Sequence, residues 1–444
     1  MQALMSFESA PPYAAPLRFF LTAPLFAVLA GLIVAFEGAD FFASRWMPAA
    51  LAVTHLLTLG FMLQIMLGAL IQILPVVAGA NLARPLLIAK IVHSGLTLGT
   101  LLLASGFYFG LPTLLSGAAL LLAFTVLFFL IAALRALIGV PSSSPTIRGI
   151  KLALLALAVV VSLGFVMALA LAQGWALPLP PLADLHAGWG LAGWAGILLT
   201  SIAYVVVPMF QLTPGYPARP SWWYPLAILA LLLLWSGAVL VDLPSLVRIS
   251  QALAALVGLA FAVLTLRLQG KRRRARADVT YRYWQLGLLS SIFALFMLLT
   301  AAIWPAASDL QGWTILFGIL LIAGGFLSFI IGMLYRILPF LSWLHLQNLG
   351  QAKVPAPSMN KILPSLDMER QMKAYALTLP LLLAAALWPN WLSRLAGLAF
   401  AMACAWLWFN LLAAVRRYGV HKAEIAAKLV ALSAGQVPTN PTVQ

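Results

Sequence analysis

Long apolar stretches recur along nearly the whole of this chain, and that recurrence limits its possible folds more than any local motif does. A helix needs about 20 mostly apolar residues to cross a hydrocarbon core ~30 Å thick at 1.5 Å per residue. Twelve runs approach or exceed that length: 18–36, 48–79, 86–107, 111–138, 149–174, 186–212, 222–241, 246–267, 282–304, 312–343, 374–389 and 393–416. Backbone polar groups find no water partner in lipid, so such runs are helices. No alternating pattern of the kind a barrel needs is present.

Composition agrees. The chain is 64% hydrophobic and 8% charged, where a soluble domain is about 45–50% apolar and about 25% charged. A water-soluble enzyme, a disordered chain and a disulfide scaffold are excluded. The single cysteine, Cys404, lies inside an apolar run and has no intrachain partner. The net charge of +16 does not point to nucleic acid, because basic residues of membrane proteins gather in cytoplasmic loops.

Their distribution orients the chain. With the N-terminus cytoplasmic, 22 Lys and Arg fall in inner segments against three outside, Arg45, Arg248 and Arg394, with Arg336 inside a helix. Both termini are thus predicted to face the cytoplasm. The run from Lys271 to Arg276 is a topology anchor, with anionic lipid as a second use. The stretch before Arg18 carries Pro11, Pro12 and Pro16 and no basic n-region, and reads as an uncleaved start. The whole of 1–444 is expected to form one integral membrane domain, with 344–373 a cytoplasmic loop broken by Pro355, Pro357 and Pro364, and 418–444 a cytoplasmic tail.

A long-period repeat links the second, sixth and tenth helices. Each carries a late proline, Pro75, Pro208 and Pro339. Fifteen positions before it stand Gly60, Gly193 and Gly324, and seven before it Gly68, Ser201 and Gly332. Small residues recur wherever membrane helices pack closely, but the three helices are four apart and share one predicted direction. The pattern predicts three four-helix units.

Five histidines are available for chemistry. His55 lies in the segment Thr54-His55-Leu56-Leu57-Thr58-Leu59-Gly60, near the outer end of the second helix. It is read either as a neutral histidine bonded to a carbonyl or threonine, or as a haem or metal ligand. His186 is 22 residues before Pro208 and His55 is 20 before Pro75, which places them within about 3 Å in depth. The alternative for His186 is an interfacial contact with Asp184. His93, His345 and His421 read as loop or interfacial residues. Arg336 needs a carboxylate, a carbonyl, solvent or a ligand beside it. Gln64 and Gln72, eight apart, are read as sharing one helix face as polar glue. No phosphate loop, HExxH, CxxC or Ser/His/Asp set occurs.

With twelve helices, both ends inside, threefold units and a histidine near the outer end of helix two, the chain resembles subunit I of the haem–copper oxidase superfamily, nearest to cbb3-type and nitric-oxide reductase-like members that lack most metal ligands. The resemblance is remote and spans most of the chain. It implies a b-type haem on His55 in a bacterial cytoplasmic membrane, and a quinol or cytochrome as electron partner; His186 enters as second ligand from its matching depth and the glycines at 188, 190 and 193, although Gly188 is the residue that aligns with His55 in the repeat. The departures are as informative. The family draws haem ligands from helix ten and copper ligands from helices six and seven, yet 312–339 and 222–241 contain no histidine. A binuclear centre, bound copper and reduction of oxygen or nitric oxide are therefore not expected. Electron transfer, haem handling or a nitric-oxide response remains, beside a haem-free transporter or assembly factor on the same scaffold.

Overall fold

The computed structural model describes residues 11–273 and 277–433. The first ten residues of the predicted uncleaved start, the basic run at 274–276 and the tail at 434–444 lie outside them. Among the described residues there is no strand. The long helices are α1 (Ala14–Phe42, ending in a 3-10 turn), α2 (Pro48–Ala78), α3 (Pro85–Tyr108), α4 (Pro112–Leu137), α5 (Pro145–Gln173), α6 (Leu179–Gln211), α7 (Ala218–Leu240), α8 (Pro244–Gly270), α9 (Val279–Ile303), α10 (Trp313–Leu349), α11 (Ser365–Leu387) and α12 (Pro389–Ser433). Eleven of them are long and apolar enough to cross a membrane, and the chain is an all-helical, multi-pass membrane protein. The exception is α11, whose first turns carry Asp367, Glu369, Arg370 and Lys373.

Helix starts follow local chemistry. Proline opens α2, α3, α4, α5, α8 and α12, where its missing N–H costs nothing. Ser144 caps α5 by accepting from the Ile147 N–H, and Asp278 caps α9 by accepting from the Tyr281 N–H. Two expectations are corrected here. The segment 344–373 is not an irregular loop: α10 runs on to Leu349, a single turn forms at Met359–Ile362, and α11 begins at Ser365 directly after Pro364. Pro364 is the extended N-cap residue from which α11 starts, whereas Pro355 and Pro357 lie in the non-helical stretch before Met359–Ile362. The described part of the expected tail, 418–433, is helix, a continuation of α12, which runs unbroken for 45 residues, about 68 Å.

The first and last long helices meet backbone to backbone. A Cβ on Gly31 would lie 2.7 Å from the Ala401 nitrogen, so only glycine permits this approach of α1 to α12. The most enclosed helix is α2: 78% of its central window is buried, against 22% in α7 and in α9, with α10 at 56%.

The positions singled out by counting from the prolines do equivalent work in α2, α6 and α10. Gly60 and Gly68 admit Phe26 and Phe19 of α1; Gly193 meets Ala156 and Ser201 meets Gly149, both on α5; Gly324 meets Ser290 and Gly332 meets Tyr283, both on α9. Each of these helices therefore packs its small residues on the helix that precedes it. Thr146 Oγ1 on α5 donates to the Ser201 carbonyl at 2.9 Å, and Thr280 Oγ1 on α9 donates to the Gly332 carbonyl at 3.1 Å. Each helix also opens into a π segment at the same register: Leu56–Leu63, Trp189–Gly196 and Ile319–Leu327. A π segment turns the residues beyond it onto a different face from an unbroken α-helix, and such segments cluster at functional sites.

Candidate histidine site

His55 stands in the second turn of α2, directly before its π segment. Its Nδ1 lies 2.8 Å from the Leu51 carbonyl oxygen. His186 stands on α6 three residues before the corresponding segment, with Nδ1 3.1 Å from the Val160 carbonyl oxygen of α5. A carbonyl only accepts, so each Nδ1 carries the proton and each Nε2 keeps its lone pair. The two ring centroids are 6.4 Å apart and the ring planes 29° from parallel.

That separation suits a shared ligand. Two metal–nitrogen bonds of ~2 Å, with ~1.1 Å from each nitrogen to its ring centre, place the centroids ~6.2 Å apart. An imidazole whose Nδ1–H is held by a carbonyl is the usual form of a metal-ligating histidine. Among the described residues no group of three or more His, Cys, Asp or Glu is placed to hold a bare ion. A tetrahedral ion wants three or four protein ligands, whereas haem brings its own equatorial nitrogens and needs only axial ones. The donor set fits haem better than a bare ion.

Several residues support the pair. Phe107 of α3 stacks on His55 at 5.1 Å. A Cβ on Gly164 of α5 would lie 2.9 Å from His186 Cε1, so α5 carries no side chain there. Arg45, in the turn before α2, donates to Asp184 at 2.6 Å, two residues before His186. The expected alternative contact of His186 with Asp184 is thus replaced by two separate ones, Asp184 to Arg45 and His186 to Val160. Composition gave no sign of Phe107, Gly164 or the Val160 carbonyl; Arg45 was marked only as one of the few outer bases.

The other singled-out residues lie elsewhere. His93 Nε2 is 2.8 Å from Thr22 Oγ1, His345 packs on Tyr13, and His421 pairs with Glu424 at 3.0 Å. Arg336 is half-buried at the proline end, its guanidinium 5.2 Å from the Phe210 ring centre. Counted along α10, it is about 25 Å in depth from the histidine level. Gln64 donates to Thr97 of α3, whereas Gln72 lines a cavity of about 70 Å³ with Val205, Met209, Ile337 and Phe340 of α6 and α10. They do not share a face, because eight residues at ~100° each leave them ~80° apart. A larger polar cluster joins α9 to α12: Tyr283 and Tyr335 both donate to Gln371 Oε1, and Gln371 Nε2 donates to the Ala403 carbonyl.

A second cavity, of about 130 Å³, lies on the other side of α2 from His55, against α1, α10, α11 and α12. Its walls include Ala30, Val53, Leu57, Ile319, Ile322 and Phe400, with Arg45, Thr54 and Thr314 as its polar members.

No family model matches this chain, and no curated protein is significantly similar to it.

Proposed function

We propose that this chain is a bacterial inner-membrane protein of haem–copper-oxidase type without a complete binuclear centre. It holds one b-type haem between His55 and His186. The proposal takes all twelve long helices as spans, grouped in three four-helix units. The equal register of the three π segments and of the small-residue contacts supports that grouping, and the charge distribution supports cytoplasmic termini. The observation that carries the haem reading is the facing pair of imidazoles, each with Nδ1 on a backbone carbonyl and a centroid separation of 6.4 Å.

When bound, haem supplies reversible one-electron chemistry. The protein's own contribution is to orient and support it. Leu51 and Val160 fix the two rings, Phe107 backs one and Gly164 makes room for the other. The pair departs from the family pattern, since the partner of His55 is on α6 and not α10. With no histidine on α7, and none on α10 before Pro339, electron transfer, haem handling or a nitric-oxide response fits better than reduction of oxygen or nitric oxide.

The test is a dithionite-reduced minus air-oxidised spectrum of the detergent-purified protein and of His55→Ala and His186→Ala, with haem and copper quantified. A sharp α band lost in both variants is expected; a featureless wild-type spectrum overturns the reading.

One observation favours a second reading, a haem-free transporter or assembly factor. The cavity at the proline end is lined by the same register positions of α2, α6 and α10, a central place for a pathway. On that reading His55→Ala retains function, and substitutions at Gly68, Gly332 or Arg336 do not.

A further inference from the structure

Arg336 is the charged residue that the histidine site does not use. On α10 it continues the stripe Phe329, Met333, Arg336, spaced i, i+4 and i+7, which is one face of a helix. Phe329 and Met333 pack with Trp284 of α9, Phe261 of α8, and Phe210 and Tyr204 of α6 in a second apolar cluster, separate from the main core. The Arg336 guanidinium lies 5.2 Å from the Phe210 ring centre. It therefore looks into the place where α6, α8, α9 and α10 meet.

That place is rich in donors and short of acceptors. Trp284 is fully buried, and among the described residues its indole N–H has no acceptor. An indole N–H only donates, as a guanidinium does. No hydrogen bond of normal geometry reaches the enclosed Tyr204 hydroxyl. Tyr335 stands four residues before Pro339, as Tyr204 stands four before Pro208, yet Tyr335 donates to Gln371 and accepts from Asn410. Helices α8, α9 and α10 contain no Asp or Glu, and Asp184 of α6 is at its far end beside His186. Asp278, which caps α9, accepts from the Tyr281 N–H. The acceptor Gln269 Oε1 has no donor either, but its side chain is bonded to Gln211, by rise per residue ~9 Å farther toward the end of α6 than the level of Arg336.

We propose that a small monovalent inorganic anion, of halide or nitrate size, binds here between the Arg336 guanidinium, the Trp284 N–H and the Tyr204 hydroxyl. A cation in a membrane-spanning helix is costly until a counter-charge meets it. Stacking on Phe210 uses the flat face of the guanidinium, and its five N–H donors lie at the edge. Hydrogen bonds from such donors to an anion are of the strong, charge-assisted kind. One negative charge matches one guanidinium, whereas a divalent anion would leave net charge in an apolar cluster. The walls of Phe210, Phe261 and Phe329 favour an anion that gives up its water easily. A water molecule in the same place would satisfy the indole but not the charge. The proposal is independent of the haem reading.

The experiment is thermal unfolding of the full detergent-purified chain in sodium bromide or sodium nitrate, each titrated against sodium gluconate at one fixed ionic strength so that screening of the basic loops stays constant. A ligand that binds only the folded state raises the midpoint with its concentration in excess of Kd, and the wild type is expected to respond in this way to bromide and nitrate. Trp284→Phe, which removes the N–H and keeps every charge, is expected to raise the half-effective concentration about tenfold, and Tyr204→Phe about threefold, as loss of a hydrogen bond to a charged group predicts. Arg336→Gln should abolish the response and Arg336→Lys should retain it in weakened form; where Arg336→Gln yields no folded protein, the two ring variants decide. His55→Ala should respond as the wild type does, so failure of the haem reading leaves this result standing. The proposal is overturned by a wild type that unfolds at one temperature in all three salts. It is equally overturned by a bromide response that Trp284→Phe and Tyr204→Phe both leave unchanged, which would place the anion on the basic loops.

Discussion

Helix α2 presents two sides at one depth, and they have opposite chemistry. Toward α3 and α6 stands His55, fixed by a carbonyl, stacked on Phe107 and facing His186. Toward α10 stand Val53 and Leu57, lining a cavity whose far wall is Ile319 and Ile322. The backbone frame is the same at both places, a helix entering a π segment beside another helix doing likewise. The contrast teaches that register builds the niche and side-chain identity decides what it takes. On the proposed reading the histidine pair with carbonyl-held Nδ1 atoms takes an iron; the aliphatic pair at the corresponding register, Val53 and Ile319, twenty-two and twenty residues before their prolines, lines a cavity of about 130 Å³.

The largest expected effect breaks one side only. His55→Ala or His186→Ala should remove the α band completely, because a single imidazole leaves one axial position unfilled. Val53→Phe, two residues away on the same helix, should leave the band in place. Loss of the band in Val53→Phe at unchanged folded yield would mean that the two sides form one site. Next in size is a change that spares both sides. Gln371 accepts from Tyr283 and Tyr335 at 2.6 and 3.0 Å and donates to Ala403 at 3.0 Å. Gln371→Leu removes three buried hydrogen bonds, each worth ~0.6 kcal/mol in a membrane interior, so a loss of ~2 kcal/mol is expected as a lowered thermal midpoint. Haem content per folded protein should stay as in the wild type.

Much of this frame was legible in the sequence. The apolar runs gave the helices, and counting from Pro75, Pro208 and Pro339 gave positions that turned out to pack alike. What counting could not give was direction. Runs apolar on every side carry no periodic signal of their facing, and the π segments turn the helices by an amount that composition does not encode. Gln64 and Gln72 are a different case, a misjudged angle within one regular helix: eight residues read as one face, yet at ~100° each they stand ~80° apart, one meeting α3 and the other the central cavity. The depths of His55 and His186 could be matched by rise per residue, but the carbonyl of Val160 that fixes His186 is backbone and leaves no trace in residue identity. Pro364 misled because proline ends helices and begins them with equal ease.

A third prediction sharpens the histidine side. Gly164→Val places a side chain where a Cβ alone comes within 2.9 Å of His186 Cε1. The ring must turn away from His55, so haem occupancy in cells should fall about tenfold at unchanged folded yield. Gly164→Ala should lie between the two. Full occupancy in Gly164→Val would mean that the His186 ring is not held in the geometry described.

The smallest effect is expected at the one element that touches both sides. Arg45 lines the cavity and pairs with Asp184, two residues before His186. The side chains are 37% and 43% exposed, and ion pairs of that exposure contribute ~0–1 kcal/mol and weaken with salt. Asp184→Asn should therefore change haem affinity by no more than about fivefold, which is ~1 kcal/mol, and the change should shrink as ionic strength rises. Arg45→Gln should do the same on the histidine side, and in a double-mutant cycle with Asp184→Asn the double variant should lose less than the sum of the two, because both remove the one ion pair. Full additivity would mean that each side chain acts on the histidine pair by a separate route.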